Sequence, residues 1–231
     1  MKILVKILKS VIAILLVFYA VYAVINGPAL YLILKDRISP KSAVDTQKEE
    51  AVDKLLATKA TPVPTNVVSA QRSPSATTSQ PQNDPKSAFK NDWMYYATLG
   101  IEAPIDWDIQ PDNINKLLPN ALVHTAESAS PDEGGDVVIA GHSSDYWWKD
   151  SPYRTIFAPL VRAATDDTIV IKKHDKIYVY NVRGTQTIGA SEGFKVERGG
   201  DFKHTLNLMT CVPVGTNLKR LIVTADLAKV Y

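Results

Sequence analysis

Residues 204–227 read HTLNLMTCVPVGTNLKRLIVTADL, and they hold the only cysteine among 231 residues. Apolar and polar or β-branched residues alternate on both sides of VPVGTN, the pattern of two half-buried strands. Pro213 and Gly215 supply the punctuation of a tight connection between them. A hairpin centred between Gly215 and Thr216 makes Cys211 and Arg220 cross-strand neighbours, with Cβ atoms about 5 Å apart on one face. A guanidinium at that distance favours a thiolate and stabilises negative charge developing beside it. The guanidinium matters because a free cysteine thiol, with a pKa near 8.5, is only about 3% ionised at pH 7.

Working outward, DVVIAGHS (136–143) is an apolar strand that leads into a Gly-His-Ser loop, and TIVIKKHDKIYVYNVRGTQTI (168–188) alternates around His174-Asp175 as a hairpin does. YRTIFAPLVRAA (153–164) has helical spacing broken by Pro159, which predicts a short helix. Strands outnumber helices and their connections are of hairpin length. The expected fold class is therefore mainly β, an antiparallel sheet or closed barrel.

Four histidines are candidates for a base. His204 precedes Cys211 by seven residues in one extended run, about 23 Å away, and cannot reach it. His174 sits at a hairpin tip, as a solvated turn residue. His124 lies in PNALVHTAESASP, an irregular stretch without a strand pattern. His142 follows an apolar strand and a glycine, presented at a sheet's end, and is the expected partner. Cysteine, histidine and arginine together describe a covalent nucleophile, a proton donor to a leaving amine, and an electrostatic clamp on an oxyanion.

The remainder of the chain bounds where this chemistry operates. With 26 basic and 24 acidic residues the formal charge is +2, too balanced to draw nucleic acid. From Ser10 to Leu34 there are 25 residues without one charge, long enough to cross a hydrocarbon layer of about 30 Å. An uncleaved transmembrane anchor is expected at 10–34, after a cytoplasmic tail at 1–9. A cleaved signal peptide with Val21-Tyr22-Ala23 as its processing site is the alternative, but the apolar run continues past that point. Lysines and arginines flank the span on both sides, whereas a short leading tail and a long trailing domain fit an N-in, C-out arrangement with the bulk of the chain outside the cytoplasm. SAVDTQKEEAVDKLLATKA (42–60) reads as a short exposed helix. Residues 61–87, rich in Pro, Ser, Thr, Gln and Asn, complete a spacer over 35–87 that cannot bury a core. The folded unit spans 88–231. One cysteine permits no intramolecular disulfide, so that unit must be held by packing.

These residues resemble a sortase, a membrane-anchored cysteine transpeptidase of bacterial cell surfaces. VVIAGHSS is similar to the family's strand ending in Gly-His, and HTLNLMTCVPVGTNLKRLIVTADL to its Thr-Cys strand, turn and Arg strand. LGIEAPIDWD (99–108) is similar to its first strand, and FAPLVRAATDDTIVI (157–171) to its helix and following strand. The resemblance implies a closed β-barrel of about eight strands with short helices, behind one transmembrane helix in the cell membrane. It implies that Cys211 is the nucleophile, His142 the general acid and base, and Arg220 the clamp, with Thr210 lining the substrate groove. It further implies cleavage of a sorting motif of the Leu-Pro-x-Thr-Gly kind on surface proteins through a thioester. The acyl group then passes to an amine of a peptidoglycan precursor or a pilin lysine.

The resemblance implies a C-, D- or E-like subgroup without choosing among them. Pilin-assembling members often carry an Asp-Pro-aromatic lid; the nearest stretches here are Asp84-Pro85-Lys86, without the aromatic, and Asn91-Asp92-Trp93, without the proline. Trp147 and Trp148, just after the Gly-His-Ser loop, are candidate walls for a peptide groove. No cofactor is expected, since no acidic cluster has the spacing of a calcium site. Two other readings of the same residues are a tethered hydrolase that gives the thioester to water and a non-enzymatic surface domain with a buried cysteine.

Overall fold

The computed structural model describes residues 2–38, 50–51, 54, 88–146, 150–199 and 203–231. Eight strands close into a barrel. In chain order they are β1 (Trp93–Tyr96), β2 (Ile101–Ile109), β3 (Leu122–Thr125), β4 (Gly135–Ala140), β5 (Thr168–Lys173), β6 (Lys176–Gly189), β7 (His204–Val212) and β8 (Lys219–Val230). Around the barrel the order is β1-β2-β3-β4-β7-β8-β6-β5. Pairing is antiparallel except for β2 with β3 and β4 with β7, which run parallel. The sheet is thus mixed, and the barrel closes on eight strands as the resemblance implied.

Helix α1 (Lys2–Ile38) carries the apolar run, and its segment Val5–Val24 is long and apolar enough to cross a membrane. It fits a single-pass anchor. Helix α2 (Pro111–Leu117) bridges β2 and β3; its proline occupies the first helical position, where no backbone N–H is needed. The stretch around Pro159 forms a 3₁₀ turn, Ala158–Arg162, rather than an α-helix. The missing proline N–H removes an α-type bond that the tighter turn does not require.

Alternation decides which side chains fill the barrel. Val137 and Ile139 of β4, Leu206 and Leu208 of β7, and Leu221, Val223 and Ala225 of β8 lie in one core cluster with Met94, Tyr96, Phe157 and Tyr180. The intervening residues of those strands fall on the outer face. Fully burying each aliphatic side chain contributes roughly 1.5–3 kcal/mol, and this core replaces the cross-links that the chain lacks. A second cluster covers the outside of β1, β5 and β6: Phe89, Tyr95, Val170, Ile177 and Val179, joined by Ala51. Of residues 42–60 the structure describes Glu50, Ala51 and Lys54, all helical, with a 3.1 Å ion pair between Glu50 and Lys54. Their helix is not wholly exposed as expected, since Ala51 packs on the barrel. The Pro-rich part of the spacer and Asp84-Pro85-Lys86 lie outside the described residues. Asn91-Asp92-Trp93 belongs to the barrel: Trp93 opens β1, and the Asp92 carboxylate accepts the Trp107 indole N–H at 2.9 Å.

His124, in the stretch read as irregular, is instead a fully buried residue of β3. Its Nδ1 accepts the Asp108 N–H at 3.3 Å, which leaves the proton on Nε2 to be donated to the Ala129 carbonyl at 2.9 Å. The Ser128 hydroxyl, 3.0 Å from Nε2, donates to Thr125 and accepts from the Val138 N–H. Burial holds this imidazole below the ordinary value of 6.5, against opposing pulls from the Ala129 carbonyl and the Asp108 carboxylate. Below about pH 6.5 the unfolded chain therefore takes up a proton that the fold refuses. The neutral-histidine contribution is present in full above that pH and is lost as pH falls through the lowered folded value. Urea unfolding of wild type and His124→Asn at neutral and mildly acidic pH is expected to show a smaller loss of stability in the variant. Equal losses would mean that His124 is not the titrating group.

Candidate active site

The hairpin of β7 and β8 pairs Cys211 with Arg220 in register. Cys211 is half-buried, and both residues lie on the outer face, because their neighbours Thr210 and Leu221 form an inward pair. The β7–β8 turn closes through the Thr216 N–H to the Pro213 carbonyl at 3.0 Å. Arg220 Nη1 donates to the carbonyls of Asn217 at 3.1 Å and Lys219 at 3.2 Å, so the guanidinium is braced by its own hairpin. Nη2 and Nε carry the further donors of the fork.

His142 comes from the other neighbour of β7. The parallel ladder pairs Val137 with Leu206 and ends at Ala140 with Met209. Continued by two residues, the same offset sets His142 beside Cys211. Alternation from Val138 through Ala140 puts His142 on the outer face as well. Cys211 and Arg220 are thus paired across β7 and β8, and His142 lies two residues beyond the end of β4, where the continued offset points it toward the same level.

Several bonds hold that level. The Gly141 N–H donates to the Met209 carbonyl at 3.1 Å, and the Thr210 hydroxyl donates to the Gly141 carbonyl at 2.8 Å. Phe157 N–H donates to the His142 carbonyl at 2.9 Å. Gly215 N–H donates to the Ser144 hydroxyl oxygen at 3.0 Å, which ties the histidine loop to the cysteine hairpin. Thr210 is the residue expected to line the substrate groove. It is 3% exposed, and its side chain is turned beneath the site as a staple between the two strands.

Asp145 is the residue that sequence reasoning passed over. Its Oδ2 stands 3.9 Å from His142 Nε2, an ion-pair distance when the ring is protonated, and its Oδ1 accepts the Tyr146 N–H at 2.7 Å. The signal was present in Gly-His-Ser-Ser-Asp, where a carboxylate three residues after a histidine in a loop can turn back on it. Trp147 and Trp148 lie outside the described residues.

On the same outer face, below the thiol, Thr224 donates to Asn207 at 2.9 Å and Asn207 donates to Asp136 at 3.1 Å. Asp136 also accepts the Glu197 N–H at 2.9 Å, so the β6–β7 connection crosses this face and walls it. Gly135 permits the crossing: with φ 122° it approaches so closely that a Cβ would stand 2.3 Å from the Glu197 carbonyl oxygen. Arg198 then pairs with Glu133 at 3.3 Å. Among the described residues no group of three or more His, Cys, Asp or Glu side chains gathers as a metal site. Two acidic residues of the β3–β4 connection have protein partners: Glu133 pairs with Arg198, and Asp132 accepts the Ser130 hydroxyl at 2.7 Å.

A family model of the sortase domain matches residues 97–228. The fold is similar to that of sortase C1 from Streptococcus suis, at 16% identity and TM-score 0.50, over 67% of this chain and 89% of that one. Sortase A from Listeria monocytogenes matches at 18% identity and TM-score 0.48, over 60% and 86% of the two chains. Sortase E1 from Streptomyces coelicolor, solved with a tripeptide in its active site, matches at 22% identity and TM-score 0.47, over 60% and 87%. Comparison with curated proteins finds no match.

Proposed function

Because this chain belongs to the sortase family, we propose that it is a transpeptidase in which Cys211, His142 and Arg220 act on a sorting peptide of the Leu-Pro-x-Thr-Gly kind. The Cys211 thiolate attacks the threonine carbonyl, and Arg220 donates to the oxyanion that forms. His142 delivers a proton to the departing glycine amine, and a thioester remains on the sulfur. An amine of a peptidoglycan precursor or a pilin lysine then attacks; His142 removes its proton, and the amide product leaves the thiolate restored. Thr210 and Ser144 are positioning residues that keep the histidine loop level with the cysteine hairpin. The domain works outside the cytoplasm, with α1 as its anchor.

The observation that supports this reading is the joint register: Cys211 pairs with Arg220 on one side of β7, and on the other side the β4 ladder ends at Ala140 opposite Met209, two residues before His142 and Cys211 respectively. The experiment is incubation of the detergent-solubilised chain with such a peptide and a panel of amines, with products read by mass. Joined peptide and amine support transfer. Hydrolysed peptide alone, with every acceptor offered, would favour the tethered hydrolase.

Two variants address the assigned roles. Arg220→Lys keeps the charge but not the planar fork, and a loss of about 10²-fold in turnover is expected; turnover near that of wild type removes Arg220 from the clamp. For His142→Ala the pH profile of kcat/KM is the readout. The limb belonging to the imidazole should vanish with the side chain, and an unchanged profile excludes it from proton transfer.

A further inference from the structure

The loop that leaves β4 folds a carboxylate back onto His142. Asp145, three residues on, places Oδ2 3.9 Å from His142 Nε2, while its Oδ1 accepts the Tyr146 N–H at 2.7 Å. The Asp145 side chain is only 8% exposed. A carboxylate so far withdrawn from water is costly unless donors or positive charge face it. The backbone supplies a donor to Oδ1, and the imidazole edge bearing Nε2 faces Oδ2.

The loop between the two side chains is pinned. Gly141 donates its N–H to Met209 and accepts the Thr210 hydroxyl on its carbonyl. The His142 carbonyl accepts the Phe157 N–H, and the Ser144 hydroxyl oxygen accepts the Gly215 N–H. Ser143 is buried. The facing of carboxylate and ring is therefore set by the backbone and is not a chance meeting of two surface side chains.

In a neutral imidazole one nitrogen donates and the other accepts, and the neighbours decide which. An ionised carboxylate can only accept. Facing Nε2, it favours the tautomer with hydrogen on Nε2 and the basic lone pair on Nδ1. At 3.9 Å the contact is an ion-pair separation, and contacts of this kind shorten to hydrogen bonds as a substrate seats.

We propose that Asp145 is a positioning residue that holds a proton on His142 Nε2, so that Nδ1 is the nitrogen that exchanges protons with the departing and attacking amines. The use of Nδ1 rests on the transpeptidase reading; the tautomer does not. In the first half-reaction the Nδ1–H bond of the imidazolium breaks as an N–H bond forms on the leaving glycine amine. In the second, the attacking amine returns a proton to Nδ1. The Nε2–H bond stays intact, and Asp145 stays ionised throughout.

Asp145→Asn tests this sharply. With the Tyr146 N–H still requiring an oxygen, the new amide turns its NH₂ toward Nε2, which must then accept, and the ring proton moves to Nδ1. The full chain is labelled with ¹⁵N-histidine and solubilised in detergent, and the His142 signals are those missing from His142→Ala. Read where the ring is neutral, the wild-type proton is expected on Nε2 and the Asp145→Asn proton on Nδ1, with the same melting temperature. With a Leu-Pro-x-Thr-Gly peptide and an acceptor amine, kcat of that variant should fall on the order of 10²-fold while KM stays within a few-fold. Asp145→Glu keeps an ionised acceptor and should return the proton to Nε2 and recover part of kcat. A wild-type proton on Nδ1 overturns the proposal, and that signal decides it even if the variant does not fold. The same tautomer in wild type and Asp145→Asn overturns it too. A moved proton with unchanged kcat overturns the assignment of Nδ1 to proton transfer. A moved proton in a chain whose wild type joins no peptide to any amine upholds the tautomer and contradicts the proposed function instead.

Discussion

Cys211→Ala is expected to abolish thioester formation while the barrel melts as wild type does. The sulfur is half-buried on the outer face, away from the core cluster of β7, so its loss removes little packing and about 1 kcal/mol of stability or less. No other thiol exists to take over, and the neighbouring groups act only on charge and protons that the sulfur's attack creates. Losses on removing a nucleophile from such a unit are on the order of 10⁴-fold or more. Residual turnover within a few-fold of wild type would mean that the reaction runs elsewhere. A collapsed melting transition would mean that the thiol is a core residue, as in the non-enzymatic reading.

Gly141→Ala should have the largest structural effect and disable the site from beneath. A Cβ at this position would stand 2.5 and 2.7 Å from the Phe157 ring and 2.8 Å from a Leu122 methyl. Phe157 and Leu122 are fully buried members of the core, so neither can swing aside into solvent. Overpacking of this kind costs about 1–3 kcal/mol. The strain falls on the residue whose N–H and carbonyl tie β4 to Met209 and Thr210, next to His142. Thermal unfolding should shift down by several degrees, and kcat should fall more than KM rises, because the imidazole is displaced rather than the peptide groove. Wild-type stability and kcat together would show that the loop adjusts freely and that its level is not fixed by these bonds.

What the sequence made legible follows from how local each signal was. The β7–β8 hairpin could be read because its turn residues and its alternation lie within one continuous stretch, and the Cys211–Arg220 pairing follows from the turn centre alone. His142 could be nominated but not placed. Its level depends on the parallel β4–β7 ladder, a contact between segments about seventy positions apart that leaves no periodic trace in either. Strands β1 and β3, four residues each, are too short to show alternation, and β3 carries a histidine whose burial depends on Asp108, Ser128 and Ala129 acting from three directions. Thr210 was legible in principle. Counting from an outward Cys211, the preceding residue faces in, as its burial shows. The helix around residue 51 gained its buried face from Phe89 and Tyr95, a contact that composition cannot reveal.

The proposed function comes down to one requirement: the Cys211 sulfur, paired across the hairpin with Arg220 on the outer face, is the atom that takes the acyl group. The direct measurement is to trap the acylated chain with a Leu-Pro-x-Thr-Gly peptide, digest it, and locate the acyl group by fragmentation. A single adduct on the peptide bearing Cys211, absent from Cys211→Ala and slow to form in His142→Ala, is the predicted result. An adduct on any other side chain, or none under conditions where the peptide is cleaved, contradicts the account.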